Sequence, residues 1–426
     1  MRLGREVSGR DVGRNGSGMP DGPGRILAGG SPGRGRDGRS VSDREAGSAG
    51  PAGESGAPVS YRLDAVGKEA GGATHLFPMT FDLVPGGLNV LLGPTLAGKT
   101  SVLRLLAGLD RPTTGRILAG DRDVTNVPAR RRNVAMVYQE FINYPSFTVY
   151  ENIASPLRRA GMDRAGIDRK VREAAAALRI DRLLDRLPSQ LSGGQQQRTA
   201  IARALVKEAD LLLLDEPLVN LDYKLREELR VELRQIFERR RATVVYATTE
   251  PLEALLLGGH VVVLDCGRLL QVGPTIEVFR NPASVDVGRV FSDPPINLLT
   301  GVVADGEAVI GPDLRFPLRG HMAQLGPGSY RFGVRSSHLT LMKSSGGEAA
   351  FGAVVDLAEI SGSETFIHVT YAGAQIVAQQ EGVHTLRLGQ PVTLYVDPSR
   401  LFVFEAEGAG RLLAAPDGRR SVVLER

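Results

Sequence analysis

The alternation of hydrophobic and polar positions divides the chain into three stretches. From about Val59, short apolar runs alternate with amphipathic ones, the pattern of an α/β core. Residues 89–92 read as a buried strand, leading into a glycine-bearing loop over 93–98 and a helix over 100–109. Residues 211–214 and 243–246 read as two further buried strands. Between them Leu225, Leu229, Leu233, Ile236 and Phe237 form an apolar stripe that predicts a helix over 224–240. Residues 158–187 are charged and alanine-rich, which predicts several helical segments inserted into the core. Beyond about Phe291 the helical pattern stops. Residues 330–334, 365–370 and 392–396 alternate between Gly, Pro and Asp turns, predicting a small antiparallel barrel behind an Asp293-Pro294-Pro295 linker.

Residues 1–58 fall outside this pattern. They hold 16 Gly and nine Arg with almost no aliphatic periodicity, too little apolar surface to offset the entropy of ordering. They read as a disordered extension, or as a start placed too early, with translation beginning near Val59. The run Ile26-Leu27-Ala28 is far shorter than the apolar stretch of about 7–15 residues in a secretory signal. The expected organisation is an α/β domain over 59–290 with a helical subdomain over about 141–198, a barrel over 291–406 and a tail over 407–426.

Composition narrows the class. A length of 426 residues allows two or three domains, and 42% hydrophobic with 23% charged residues is a soluble globular balance. Only six of the 52 basic residues are Lys, and the net charge of +4 argues against a dedicated nucleic-acid binder. The lone Cys266 excludes a disulfide scaffold or a cysteine-built zinc module and points to a reducing, cytoplasmic setting. The longest apolar stretches, 211–214 and 255–264 with its Gly258-Gly259 break, fall far short of the roughly 18 residues of a spanning helix. Work at a membrane would require docking.

The chemistry begins at Gly93-Pro94-Thr95-Leu96-Ala97-Gly98-Lys99-Thr100, followed by Ser101, which satisfies G-x-x-x-x-G-K-[ST] between a strand and a helix. Backbone N–H groups and the helix N-terminus offer donors to phosphates, Lys99 adds positive charge, and the Thr100 hydroxyl can ligate Mg²⁺. The run Leu211-Leu212-Leu213-Leu214-Asp215-Glu216 ends an apolar strand in two carboxylates. Asp215 is expected beside the loop, holding Mg²⁺ through water, and Glu216 where it can accept a proton from an attacking water. Taken alone, such a pair is also common as solvated surface.

Between these motifs lies Leu191-Ser192-Gly193-Gly194-Gln195, and here the chain closely resembles the ATP-binding subunits of ABC transporters. Ser192 can cap the helix that follows, and Gly193 and Gly194 let backbone amides approach a γ-phosphate. The resemblance implies that Ser192, Gly193, Gly194 and Gln195 serve ATP held by the opposite subunit. It further implies that Gln139 contacts Mg²⁺ and water and senses a permease, and that Asp222, in Asn220-Leu221-Asp222, bridges the dimer interface. The barrel, with Arg335-Ser336-Ser337-His338 and Asp397-Pro398-Ser399-Arg400-Leu401, resembles the OB-type regulatory domain of sugar-importer ATPases.

Three positions depart from the family. Thr249 stands where a switch histidine is expected, and its hydroxyl can hydrogen-bond but carries no charge. Ala70 stands where an aromatic stacks on adenine, unless His75 substitutes, and Leu96 replaces a glycine in the phosphate loop. The half serving this chain's own nucleotide is weakened, while the half offered to a partner is intact. The expectation is a heterodimer with a second ATPase subunit, or else a homodimer. The runs at 93–101, 133–156 and 246–259 resemble the glycerol-uptake importers, which implies membrane-spanning permease subunits, docked near 141–152, and an external solute-binding protein. The expected location is peripheral, on the cytoplasmic face of the plasma membrane, without nucleic acid. Two alternatives stay open: a regulatory ATP-binding subunit that hydrolyses poorly, and a soluble ABC ATPase acting on DNA or ribosomes, which predicts coiled-coil insertions, a zinc hook or tandem cassettes.

Overall fold

The computed structural model describes residues 57–416 apart from 141, 220, 240, 344 and 345. The expected extension thus lies almost wholly outside the described residues, as do Phe141, Asn220, Arg240 and residues 417–426 of the expected tail. A six-stranded sheet forms the centre, in the order β10-β9-β3-β8-β7-β6. Its strands are β3 (Leu88–Leu92), β6 (Val134–Val137), β7 (Leu211–Asp215), β8 (Thr243–Thr248), β9 (His260–Asp265) and β10 (Arg268–Pro274). All pairings are parallel except that of β10 with β9. A parallel sheet is covered on both faces, which is why these strands read as unbroken apolar runs. Leu212 and Leu214 enter one core, Leu211 and Leu213 the other.

The two cores are closed by different elements. On one face lie α2 (Val149–Arg159), α3 (Arg164–Ala177), α4 (Gly193–Leu205), α5 (Tyr223–Glu238) and α6 (Pro251–Leu257), which contribute Ile153, Val171, Ile201, Leu229 and Leu257. On the other lie α1 (Lys99–Ala107) and an antiparallel sheet in the order β2-β1-β4-β5. Those strands are β1 (Tyr61–Ala70), β2 (Ala73–Leu83), β4 (Thr114–Ala119) and β5 (Arg122–Asp123). The helix expected over 100–109 stops at Ala107 because Gly108, at φ 72°, turns the chain into a left-handed cap. The helix expected over 224–240 runs instead from Tyr223, behind an Asp222 N-cap, to Glu238.

Two short helices, α7 (Thr275–Arg280) and α8 (Val285–Val290), lead to the second domain. Its first sheet, in the order β13-β12-β11-β14-β20-β21, comprises β11 (Asn297–Ala304), β12 (Glu307–Ile310), β13 (Leu314–Pro317), β14 (Gly328–Val334), β20 (Phe402–Glu405) and β21 (Leu412–Ala414). Its second, in the order β15-β19-β16-β17-β18, comprises β15 (Leu339–Thr340), β16 (Ala349–Ser361), β17 (Glu364–Tyr371), β18 (Ala374–Glu381) and β19 (Pro391–Val396). Period-two alternation puts Phe332, Phe351, Ile367 and Leu394 inside, giving a nearly closed barrel. Asn297 stitches the sheets: its amide donates to Val377 O at 2.8 Å and its Oδ1 accepts from Val377 N at 2.7 Å.

Candidate functional site

The phosphate loop leaves β3 at Gly93, where no larger residue fits: a Cβ there would lie 2.2 Å from the Leu264 carbonyl oxygen. Gly98 adopts φ 100° and caps α1 without any side-chain bond to the helix, whose first turn holds no acidic residue. The first N–H groups of α1 therefore face the loop as open donors. Lys99 is buried and curls back over the loop. Its Nζ donates to Gly93 O at 2.8 Å and Pro94 O at 3.0 Å, and it pairs with Glu216 Oε1 at 3.0 Å. Leu96 sits at the tip, 92% exposed and at φ 68°, a conformation that favours glycine.

The neighbouring strand β7 delivers both carboxylates to this loop. Thr100 Oγ1 donates to Asp215 Oδ1 at 3.1 Å, and burial pushes the Asp215 carboxyl above its ordinary range. A hydroxyl and a carboxylate side by side form a hard-oxygen pair of the kind Mg²⁺ accepts, with water and phosphate completing its shell. Glu216 follows at φ 45°, its N–H donating to Ala247 O at 3.1 Å, so the chain turns sharply and aims the side chain at Lys99. Gln139 Nε2 reaches Glu216 Oε2 at 3.5 Å. Gln139 after β6, Lys99 and Thr100 of α1, and Asp215 and Glu216 at the end of β7 thus converge from three segments that are far apart in sequence. Among the described residues, no three His, Cys, Asp or Glu side chains form a metal cluster.

The second half of the expected site stands at the start of α4. Ser192 Oγ accepts from Gln195 N at 3.4 Å and Gln195 Oε1 accepts from Ser192 N at 3.1 Å, a reciprocal cap. Ser192 and Gly193 are exposed, whereas Gly194 is buried. A Cβ on Gly194 would lie 2.3 Å from Leu225 Cδ2 and 3.1 Å from Leu221 Cδ2, so its smallness serves packing within this chain. Asp222 is exposed, and its Oδ1 caps α5 through Leu225 N at 2.9 Å.

Thr249 follows the last residue of β8. It lines a cavity of about 10 Å³ together with Glu216, Leu218, Val219, Thr248, Glu250 and Glu253, room for roughly one water. Ala70 ends β1 at the exposed Gly71-Gly72 turn, away from any core. His75 O lies 3.7 Å from a Cβ built on Gly98, which brings β2 against the phosphate loop.

The chain matches the ABC transporter family over residues 76–219 and the TOBE domain over 332–404. It is 38% identical over 341 residues to the sn-glycerol-3-phosphate import ATP-binding protein UgpC of Jannaschia sp. (strain CCS1), covering 80% of this chain and 96% of that protein. To UgpC of Escherichia coli (strain K12) it is 36% identical over 354 residues, covering 82% and 99%. The chain is an ABC transporter ATPase carrying a TOBE domain. A solved structure, the ATP-binding cassette MJ0796 dimer bound to ADP and Pi, aligns with a TM-score of 0.46 and 29% identity over 50% of this chain and 98% of that one. Among the described residues no helix is long and apolar enough to cross a membrane.

Within this ABC ATPase, two side chains that the sequence reading passed over, Glu253 and Arg226, flank the Thr249 turn. Glu253 is buried on α6, accepts from Tyr246 Oη at 2.7 Å and from Thr248 Oγ1, and is pushed up by burial. Thr248 Oγ1 in turn accepts from Glu250 N at 3.0 Å. Arg226, on α5, pairs with Glu250 and donates to Val219 O at 3.3 Å. A polar residue on the buried face of a short helix is the one sequence signal that marks Glu253. Nothing local marks Arg226, a charged residue on a helix rich in charge.

Proposed function

We propose that this chain is the energy-coupling ATPase of an importer for a small polar solute of the glycerol-3-phosphate, polyol or sugar class. It works from the cytoplasmic face of the plasma membrane with permease subunits and a solute-binding protein, the solute class resting on the relatives' names. The ATPase domain spans about 59–290, and the regulatory barrel runs from 291 past the expected end at 406, because β21 (Leu412–Ala414) pairs with β20 in its first sheet. The observation that carries the reading is the convergence of Lys99, Thr100, Asp215 and Glu216 at the ends of β3 and β7. When ATP binds, Lys99 exchanges the Gly93 and Pro94 carbonyls for phosphate oxygens, and the N–H groups over 93–101 cradle the phosphates. Thr100 and Asp215 would hold Mg²⁺, which would supply charge neutralisation at the phosphates, and Gln139, 3.5 Å from Glu216, would join them. Glu216, released from Lys99, orients the attacking water and takes its proton.

Thr249 and Ala70 support a division of labour. A hydroxyl replaces the switch imidazole and no aromatic stands at Ala70, while Ser192 to Gln195 are intact. A second ATPase subunit would complete one competent site against Ser192, Gly193, Gly194 and Gln195. The same two positions favour the second reading, a subunit that binds ATP and regulates more than it hydrolyses. ATP turnover and nucleotide affinity of the chain alone, and of the chain with its permease and a second ATPase, separate these readings. Lys99→Ala is expected to lower ATP affinity at least 100-fold, and Glu216→Gln to lower turnover at least 100-fold with affinity kept. Turnover confined to the full assembly supports asymmetry; fast turnover alone, unaffected by Thr249→Ala, removes it.

A further inference from the structure

Arg226 lies outside the phosphate contacts, yet it touches both segments that frame them. Its guanidinium pairs with Glu250, the residue directly after Thr249, and donates Nη2 to Val219 O at 3.3 Å. Val219 belongs to the turn that leaves the catalytic carboxylate, its own N–H donating to Glu216 O at 3.4 Å. Between the two gripped segments lies the one-water cavity that Glu216 and Thr249 share. Arg226 therefore bridges two of the segments that line this cavity, without lining it itself. The Arg226 side chain is 21% exposed and Glu250 38%, so the pair stands at the edge of solvent, and the second bond to Val219 O gives it a fixed direction.

The same arginine sits one helical turn beyond Asp222, the exposed cap of α5. Leu221 and Leu225, which flank Asp222, also pack on Gly194 at the start of α4. A push on Asp222 or on Ser192 is thus passed by packed groups to the helix that carries Arg226. We propose that Arg226 is a positioning residue that sets Thr249 and Glu250 against Glu216 and ties that spacing to the partner-facing end of α5. The inference rests on the hydrolytic reading above. With Thr249 in place of an imidazole, the shorter hydroxyl tolerates less slack in this spacing, so the site leans on the clamp.

The test is a set of variants in the purified assembly that hydrolyses ATP, with kcat, KM and nucleotide affinity measured separately and folding checked by thermal melting. Arg226→Gln is expected to lower kcat at least tenfold while ATP affinity stays within threefold. Arg226→Lys, which keeps the charge but has one group for two grips, should fall between. Arg226→Glu and Glu250→Arg should each impair turnover, and the double exchange should restore it at least fivefold over either single variant. Unchanged kcat in Arg226→Gln, equal loss of kcat and affinity, or no recovery in the exchange overturns the proposal. Glu216→Gln separates this from the reading beneath it: if that variant turns over normally, or no assembly hydrolyses ATP, the hydrolytic reading fails and the positioning role with it.

Discussion

At the scale of single residues, backbone conformation matters as much as side-chain chemistry. Leu96 holds φ 68° with its side chain 92% exposed, so nothing packs around it to compensate the roughly 1 kcal/mol that a left-handed conformation costs an L-residue. Leu96→Gly is expected to leave stability unchanged or raise it slightly, the relieved strain offsetting the added freedom of the unfolded chain. Leu96→Val, β-branched, should lower it by about 1 kcal/mol, and chemical denaturation of the two variants decides. His338 offers a second test. Burial, helped by Arg400 and Arg335, holds its imidazole at about 4. An unfolded histidine takes its proton near pH 6.5, so stability is complete above that pH and is lost as pH falls towards 4. The loss is on the order of 2 kcal/mol, and His338→Gln should flatten the profile of melting temperature against pH over that window.

Elements are joined by a few buried polar and aromatic groups. Arg335 begins the turn after β14, yet its guanidinium lies 3.4 Å from the centroid of Phe279 in α7 and donates to Phe279 O at 2.7 Å. Burial draws its pKa down to about 10, which leaves it charged at neutral pH and able to act on the ring. Val285, Ile296, Phe402 and Phe404 continue the joint as an apolar cluster. Arg335→Ala removes both grips and should cost about 3 kcal/mol, seen in calorimetry as a barrel transition that separates from the ATPase core. Arg335→Lys should recover less than half, because an ammonium cannot lie flat on the ring. The central sheet is held chiefly by apolar cover on its two faces, with the buried Asn89 of β3 donating to Val244 O of β8 at 3.2 Å.

For the whole molecule, the question is what a second subunit meets. Ser192, Gly193 and Asp222 are exposed along one side, whereas Gly194 is buried against α5. A substitution at Gly194 would therefore disturb this chain's own packing, and Ser192 gives the cleaner probe of a shared site. Ser192→Ala should cost about 1 kcal/mol through the lost cap. It should also lower turnover of the full assembly at least tenfold while the isolated chain keeps its ATP affinity, measured by fluorescent-nucleotide titration. Equal loss in both would place Ser192 in fold maintenance alone.

The sequence by itself determined the architecture. Unbroken apolar runs at 89–92, 211–214 and 243–246 announce strands buried on both sides, and strict alternation beyond Phe291 announces a barrel, because burial acts directly on local periodicity. The phosphate loop was legible for a related reason: Gly93 must admit the Leu264 carbonyl, and a glycine at φ 100° must precede Lys99. Helix ends were legible only to within a turn, because the caps at Gly108 and Asp222 depend on where the chain must go next. What only the tertiary structure decided are contacts between residues remote in sequence: Lys99 on Glu216, Tyr246 and Thr248 on Glu253, and Arg226 across Val219 and Glu250. Such pairs leave no periodic trace, since their energy comes from partners that folding alone brings together.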